Sequence, residues 1–181
     1  MGPGQFGGVH KHKAATPMIM PERLLIERIV KEVAVDEKFM EMALEEAKRA
    51  ASEGEVPVGA VLVRRGEIIG RDHNRCIQSN DPTAHAEILV IRRGGEIIGN
   101  YRLPGTTLYA TIEPCPMCVG AITQARVERL VYGALDEKAG AVSSRFRLLN
   151  DPDLNHRVDV KGDVLRQECS EILRKFFKGR R

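Results

Sequence analysis

The run Thr106-Thr107-Leu108-Tyr109-Ala110-Thr111-Ile112-Glu113-Pro114-Cys115-Pro116-Met117-Cys118 carries a fold and a chemistry in one stretch. Thr106–Ile112 reads as a buried strand, rich in β-branched and aromatic residues. Pro114–Pro116 then opens a helix through Val119, Ala121 and Ile122, since proline is tolerated where a helix begins. After a tight connection, Val127–Tyr132 reads as another strand. Strand, helix and strand in succession imply parallel pairing and an α/β sheet.

The neighbouring segments extend this unit. Asp81-Pro82-Thr83 is a loop capping a second helix that starts near Ala84, carries Ile88, Leu89 and Ile91, and is expected to weaken at Gly94-Gly95. Val56–Val63 is a β-type run, Arg64-Arg65-Gly66-Glu67 a turn, and Ile68-Ile69-Gly70 the return strand of a hairpin. Further out, Asp36 has the character of an N-cap. Phe39, Ala43, Ala47 and Ala50 follow at helical spacing, and Gly54 supplies the stop. At the other end, Arg157–Lys161 reads as a short strand. Val164–Phe177 reads as an amphipathic helix with Leu165, Cys169, Ile172, Leu173, Phe176 and Phe177 on its apolar side.

These elements fill residues 36–181 as one domain. Residues 1–35 read as an extension, largely disordered, with a short helix over 22–35. Residues 1–8 are too glycine-rich to build an element, and His10 and His12 have no further ligands beside them. The 181 residues suit one domain, and their 43% hydrophobic and 29% charged content is ordinary for a globular chain. No apolar run approaches the length of a membrane span, and the N-terminus lacks the apolar stretch of a signal peptide. The net charge of +3 is uneven: residues 145–181 hold ten Lys/Arg against six Asp/Glu. A basic end of this kind suits a polyanion or, equally, a solvated helix face. The four cysteines, two at metal-type spacing, suggest a reducing, cytoplasmic setting.

The chemistry concentrates in Thr83-Ala84-His85-Ala86-Glu87 and Glu113-Pro114-Cys115-Pro116-Met117-Cys118. Cys115 and Cys118 share one helix face, at an N-terminus that favours thiolates. With His85 they make a three-ligand set suited to zinc, leaving a fourth tetrahedral position for water. Cys76 and Cys169 are expected to be non-ligands, Cys169 as core. Glu87, two residues after His85, can take a proton from water that zinc has acidified. An acidic residue in a first helical turn often only stabilises that turn, but here it arrives together with the metal ligands.

His85-Ala86-Glu87 with Pro114-Cys115-x-x-Cys118 resembles the H-x-E…P-C-x-x-C signature of the cytidine/deoxycytidylate deaminase superfamily. The resemblance is closest to its bacterial tRNA adenosine-deaminating members. It runs from about Asp36 to the C-terminus, through Glu55–Val61, His73-Asn74-Arg75, Asp81–Glu87, Gly99–Leu103, Gly133-Ala134 and Asn155–Val158. It implies a three-layer α/β/α cytidine-deaminase-like fold, with a central mixed sheet of about five strands flanked by helices. It also implies one Zn2+ per subunit held by His85, Cys115 and Cys118, with Glu87 as proton shuttle. The implied reaction converts the wobble adenosine of a tRNA anticodon to inosine. The implied partners are the anticodon stem-loop and a second subunit, in the cytoplasm and away from membranes.

By the same resemblance, Asn74 would hydrogen-bond the flipped base, Val56 would wall its pocket, and Asp136 would meet the ribose–phosphate backbone. Read from the residues alone, Asn74 and Asp136 suit turns and Val56 suits the sheet core. Leu135 departs from the family, where some members carry a basic residue. Two other readings stand beside this one. The signature equally suits a deaminase of a free base or nucleotide, such as cytosine or guanine. A zinc-stabilised RNA-binding module without catalysis would need a closed metal site and would leave Glu87 replaceable.

Overall fold

The computed structural model describes residues 21–180. The predicted behaviour of residues 1–20 lies outside them. The elements are α1 (Glu22–Ser52), β1 (Gly59–Arg64), β2 (Glu67–His73), α2 (Cys76–Ser79), α3 (Ala86–Ile98), β3 (Thr106–Ile112), α4 (Pro116–Gln124), β4 (Arg129–Ala134), β5 (Asp159–Lys161) and α5 (Arg166–Lys178). One mixed sheet runs in the order β2-β1-β3-β4-β5. β1 is antiparallel to β2 and β3, while β3, β4 and β5 are parallel.

Side-chain alternation builds two cores from one sheet. Ala60, Leu62, Leu108, Leu130 and Tyr132 face α3 and α4, where they meet Ala86, Val90, Val119 and Ile122. Val61, Val63, Tyr109 and Val131 face the opposite way, onto Phe39, Met40, Ala43 and Leu44 of α1 and Cys169 of α5. The result is the three-layer α/β/α arrangement, with Cys169 in the core as expected.

Two local expectations are corrected. Asp36 is not an N-cap, and 22–35 is not a separate short helix. A single helix runs from Glu22 to Ser52. No proline or glycine lies between those ends, so nothing forces the non-helical backbone that a cap requires. Asp36 is instead only 1% exposed. It accepts hydrogen bonds from Arg129 Nη1 at 2.7 Å, Lys161 Nζ at 2.7 Å and Tyr109 Oη at 3.0 Å. Residues 22–35 lie exposed in front of this packed half, with Ile26, Ile29, Val30 and Val33 among the exposed apolar side chains.

The second correction concerns α3, which does not weaken at Gly94-Gly95. It continues to Ile98 and ends at Gly99 in the left-handed region. A side chain at Gly94 would place its Cβ 2.4 Å from Leu62 Cδ2. The glycine is there for close packing on β1, and that packing outweighs its weak helix propensity.

Candidate active site

The site lies where β2 and β3 end and α3 and α4 begin. In open α/β sheets the carboxyl ends of strands are the usual place for ligands. His85 occupies the N-cap position of α3 and Cys115 that of α4, both with extended backbone. One turn into α4, Cys118 is buried. His85 Nδ1 lies 3.8 Å from Cys115 Sγ and 3.5 Å from Cys118 Sγ, and the two sulfurs are 3.7 Å apart. Among the described residues this is the one His/Cys/Asp/Glu group close enough to hold a metal ion.

The donor set fits zinc. A tetrahedral ion with Zn–S of about 2.3 Å and Zn–N of about 2.0 Å needs edges of roughly 3.8 Å between sulfurs and roughly 3.6 Å between sulfur and nitrogen. The spacings above match those edges. The two thiols differ in acidity. The Cys118 thiol donating to Cys115, together with His85, pulls Cys115 down to about 4. The same contact and burial push Cys118 up.

Glu87 sits in the first turn of α3, 2% exposed. Its Oε2 is buried without a hydrogen-bond partner. Burial pushes its carboxyl above the usual carboxylate range. A buried oxygen left unpaired is costly, and native proteins keep such groups mainly where another molecule completes them. Glu87 lines a cavity of about 970 Å³ together with His85 and Cys115.

The remaining expected residues line the same cavity. Asn74, just past β2, is 6% exposed, and its Oδ1 accepts from the Ala86 backbone N–H at 2.9 Å. That bond fixes the amide and leaves Nδ2 for the cavity. Val56 lines the wall while packing against the core on its other side, so its two readings coincide. Asp136 follows β4, and its Oδ1 accepts from Lys138 N at 3.0 Å and Ala139 N at 3.1 Å. It forms a turn and borders the cavity at once. Cys76 is on the wall but outside the ligand group.

Three features were not anticipated. α5 supplies wall through Arg166, Leu173, Arg174 and Phe177. Glu55 is buried and accepts from Gln78 N at 2.7 Å, holding α2 against the rim. Glu113 is buried beneath the 136–144 loop, and backbone N–H groups of that loop hold its carboxyl below the usual range despite burial. The sequence shows both glutamates beside motif residues, but gives no sign of what they bind.

A His/Cys/Cys set, a buried acid without a partner and a cavity at the strand ends of a mixed α/β sheet make a site suited to zinc-assisted hydrolysis. The family model for the cytidine and deoxycytidylate deaminase zinc-binding region matches residues 33–134. The chain belongs to that family, in its tRNA-specific adenosine deaminase branch. The tRNA-specific adenosine deaminase of Haemophilus influenzae is 52% identical over 147 residues, 81% of this chain and 85% of that protein. That of Agrobacterium fabrum is 52% identical over 79% of this chain and 94% of its own length. A solved structure from a study of A-to-I editing by tRNA:A34 deaminases at the wobble position of transfer RNA is 51% identical, with a TM-score of 0.73. It covers 75% of this chain and 99% of its own. A guanine deaminase structure from Bacillus subtilis is 42% identical with a TM-score of 0.53, over 55% of this chain and 64% of its own.

Proposed function

We propose that this chain deaminates the wobble adenosine of a tRNA anticodon to inosine, with His85, Cys115 and Cys118 as zinc ligands and Glu87 as proton shuttle. The buried Glu87, with a partnerless Oε2 and a place on the cavity wall beside His85 and Cys115, carries the assignment of chemistry. The tRNA-specific relatives support the substrate.

Zinc, when bound, supplies the acidity that makes water a nucleophile at neutral pH. Everything else falls to the chain. Glu87 accepts a proton from the attacking water, delivers it to the adenine ring nitrogen, and then assists protonation of the departing amine. Water adds at C6, the C6–N bond breaks, and inosine and ammonia result. Asn74 Nδ2, held by the bond from Oδ1 to α3, donates to the base. Val56 packs against the ring. Asp136 accepts from a ribose hydroxyl, a contact that distinguishes RNA from DNA. The target base must leave its stack to enter the cavity, which is easiest in a single-stranded loop.

The same reading includes RNA binding, a homodimer and a cytoplasmic location. For the location, the support is that all four cysteines are free. The guanine deaminase likeness favours a second reading, turnover of a free base. One experiment separates them: the zinc-loaded protein is given an arginine anticodon stem-loop with adenosine at the wobble position, and separately guanine, cytosine, cytidine and adenosine. Inosine in the stem-loop alone is expected. Turnover of a free base or nucleoside in place of the stem-loop would keep the metal chemistry and overturn the substrate.

A further inference from the structure

We infer that Glu113 is a positioning residue, which fixes the 136–144 loop as the wall against which the substrate binds. The inference rests on the reading that RNA occupies the cavity.

Glu113 is 1% exposed, and both its oxygens are used by a single loop. Oε1 accepts from the backbone N–H groups of Val142 at 2.9 Å, Ser143 at 2.7 Å and Ser144 at 2.9 Å. Oε2 accepts from Asp136 N at 3.2 Å. The loop is therefore wrapped around one carboxylate, and Ser144 Oγ closes it by donating to Asp136 O at 2.6 Å. Ala141 N also donates to Pro114 O at 2.9 Å, tying the loop to the residue beside Cys115. A Cβ at Gly140 would collide with the Glu113 carboxyl and with Ser144 Oγ, so a side chain there must displace them.

The outer part of this loop, Asp136–Ala139, borders the cavity. Glu113 stands two residues before Cys115. A single side chain thus sets the distance between the reaction centre and the wall. It acts through the loop, since its oxygens are taken.

Glu113→Gln replaces one acceptor oxygen by a donor. If the amide keeps its oxygen on the three N–H groups of 142–144, its NH2 must face the Asp136 N–H, and that end of the loop is released. The expected result is a KM for the stem-loop raised about tenfold or more, the scale of losing a hydrogen bond to a charged group. The fall in kcat should be much smaller, with zinc content unchanged. Gly140→Ala disturbs the same wrap from the loop side, with Glu113 and the residues of the Cys115 turn themselves unchanged, and should show the same split. Amide hydrogen exchange over 136–144 should speed up in both variants, while β3 stays protected.

A KM within about twofold of wild type in Gly140→Ala, with exchange unchanged, overturns the inference, and does so even if Glu113→Gln fails to fold. Loss of zinc and of kcat in Glu113→Gln without a rise in KM also overturns it, leaving Glu113 as support for the metal turn. A wild-type protein inactive on the stem-loop instead refutes the proposed substrate, and the exchange measurement still decides the role of Glu113.

Discussion

His85, Glu87, Cys115 and Cys118 were legible as two groups because each has a fixed place at a helix start, and the fold brings the two helix starts together. Glu87→Gln should bind zinc as wild type does and lose roughly a thousandfold in kcat, as expected for removing a general acid–base. Metal analysis beside single-turnover inosine formation checks both halves, and a fully active variant would end the assignment. Asn74 was harder to read, because the bond its Oδ1 accepts from Ala86 N joins it to a helix start twelve residues away, which no turn pattern shows. Glu113 could not be read at all. Its partners lie 23 to 31 residues further along, and no local pattern announces which backbone a buried carboxylate will gather.

The strands and α4 follow their sequence signals closely, since period-two alternation and proline placement are local properties. α1 did not. The expected cap at Asp36 was a plausible local reading overridden by tertiary contacts. Burial by itself would raise the Asp36 carboxyl, but Arg129, Lys161 and Tyr109 outweigh it and hold the group below the usual range. A lowered folded value stabilises above the unfolded value of about 3.9 and is lost as pH falls through the folded one. Asp36→Asn should therefore cost about 3 kcal/mol in urea unfolding at neutral pH, as for a broken buried ion pair. The gap between variant and wild type should shrink below about pH 4.

Within the same helix, amides of 22–35 should exchange faster than those of 36–52, because only the latter are held by packing. In α5 the basic residues prove unequal. Lys175 pairs with Glu171 at 2.9 Å. Arg180 donates to Gly54 O and lies 4.1 Å from the Phe176 ring centre. Two arginines of α5 are on the cavity wall; Arg166 pairs with Asp163 at 3.2 Å, which leaves Arg174 the better placed to meet a phosphate. Arg174→Ala should raise KM for the stem-loop and flatten its dependence on log salt by about one charge, whereas Lys175→Ala should do neither.

For the whole molecule, the order of its elements conveyed the α/β class, while the layer count and the size of the sheet came from the family resemblance. Which helices cover which face depended on contacts between distant residues, and no sequence window contains those. The Asp36 tie is the extreme case. Its partners Tyr109, Arg129 and Lys161 lie 73, 93 and 125 residues away, in three adjacent strands of the sheet. A ribosome must release nearly the whole chain before Lys161 can reach Asp36. Contacts of such long sequence separation are expected to be completed late on the folding route, when the sheet acquires its last strand. Breaking the tie should leave the refolding rate nearly intact and accelerate unfolding. The aspartate works as a clasp on the finished protein, guarding its lifetime and contributing little to its assembly.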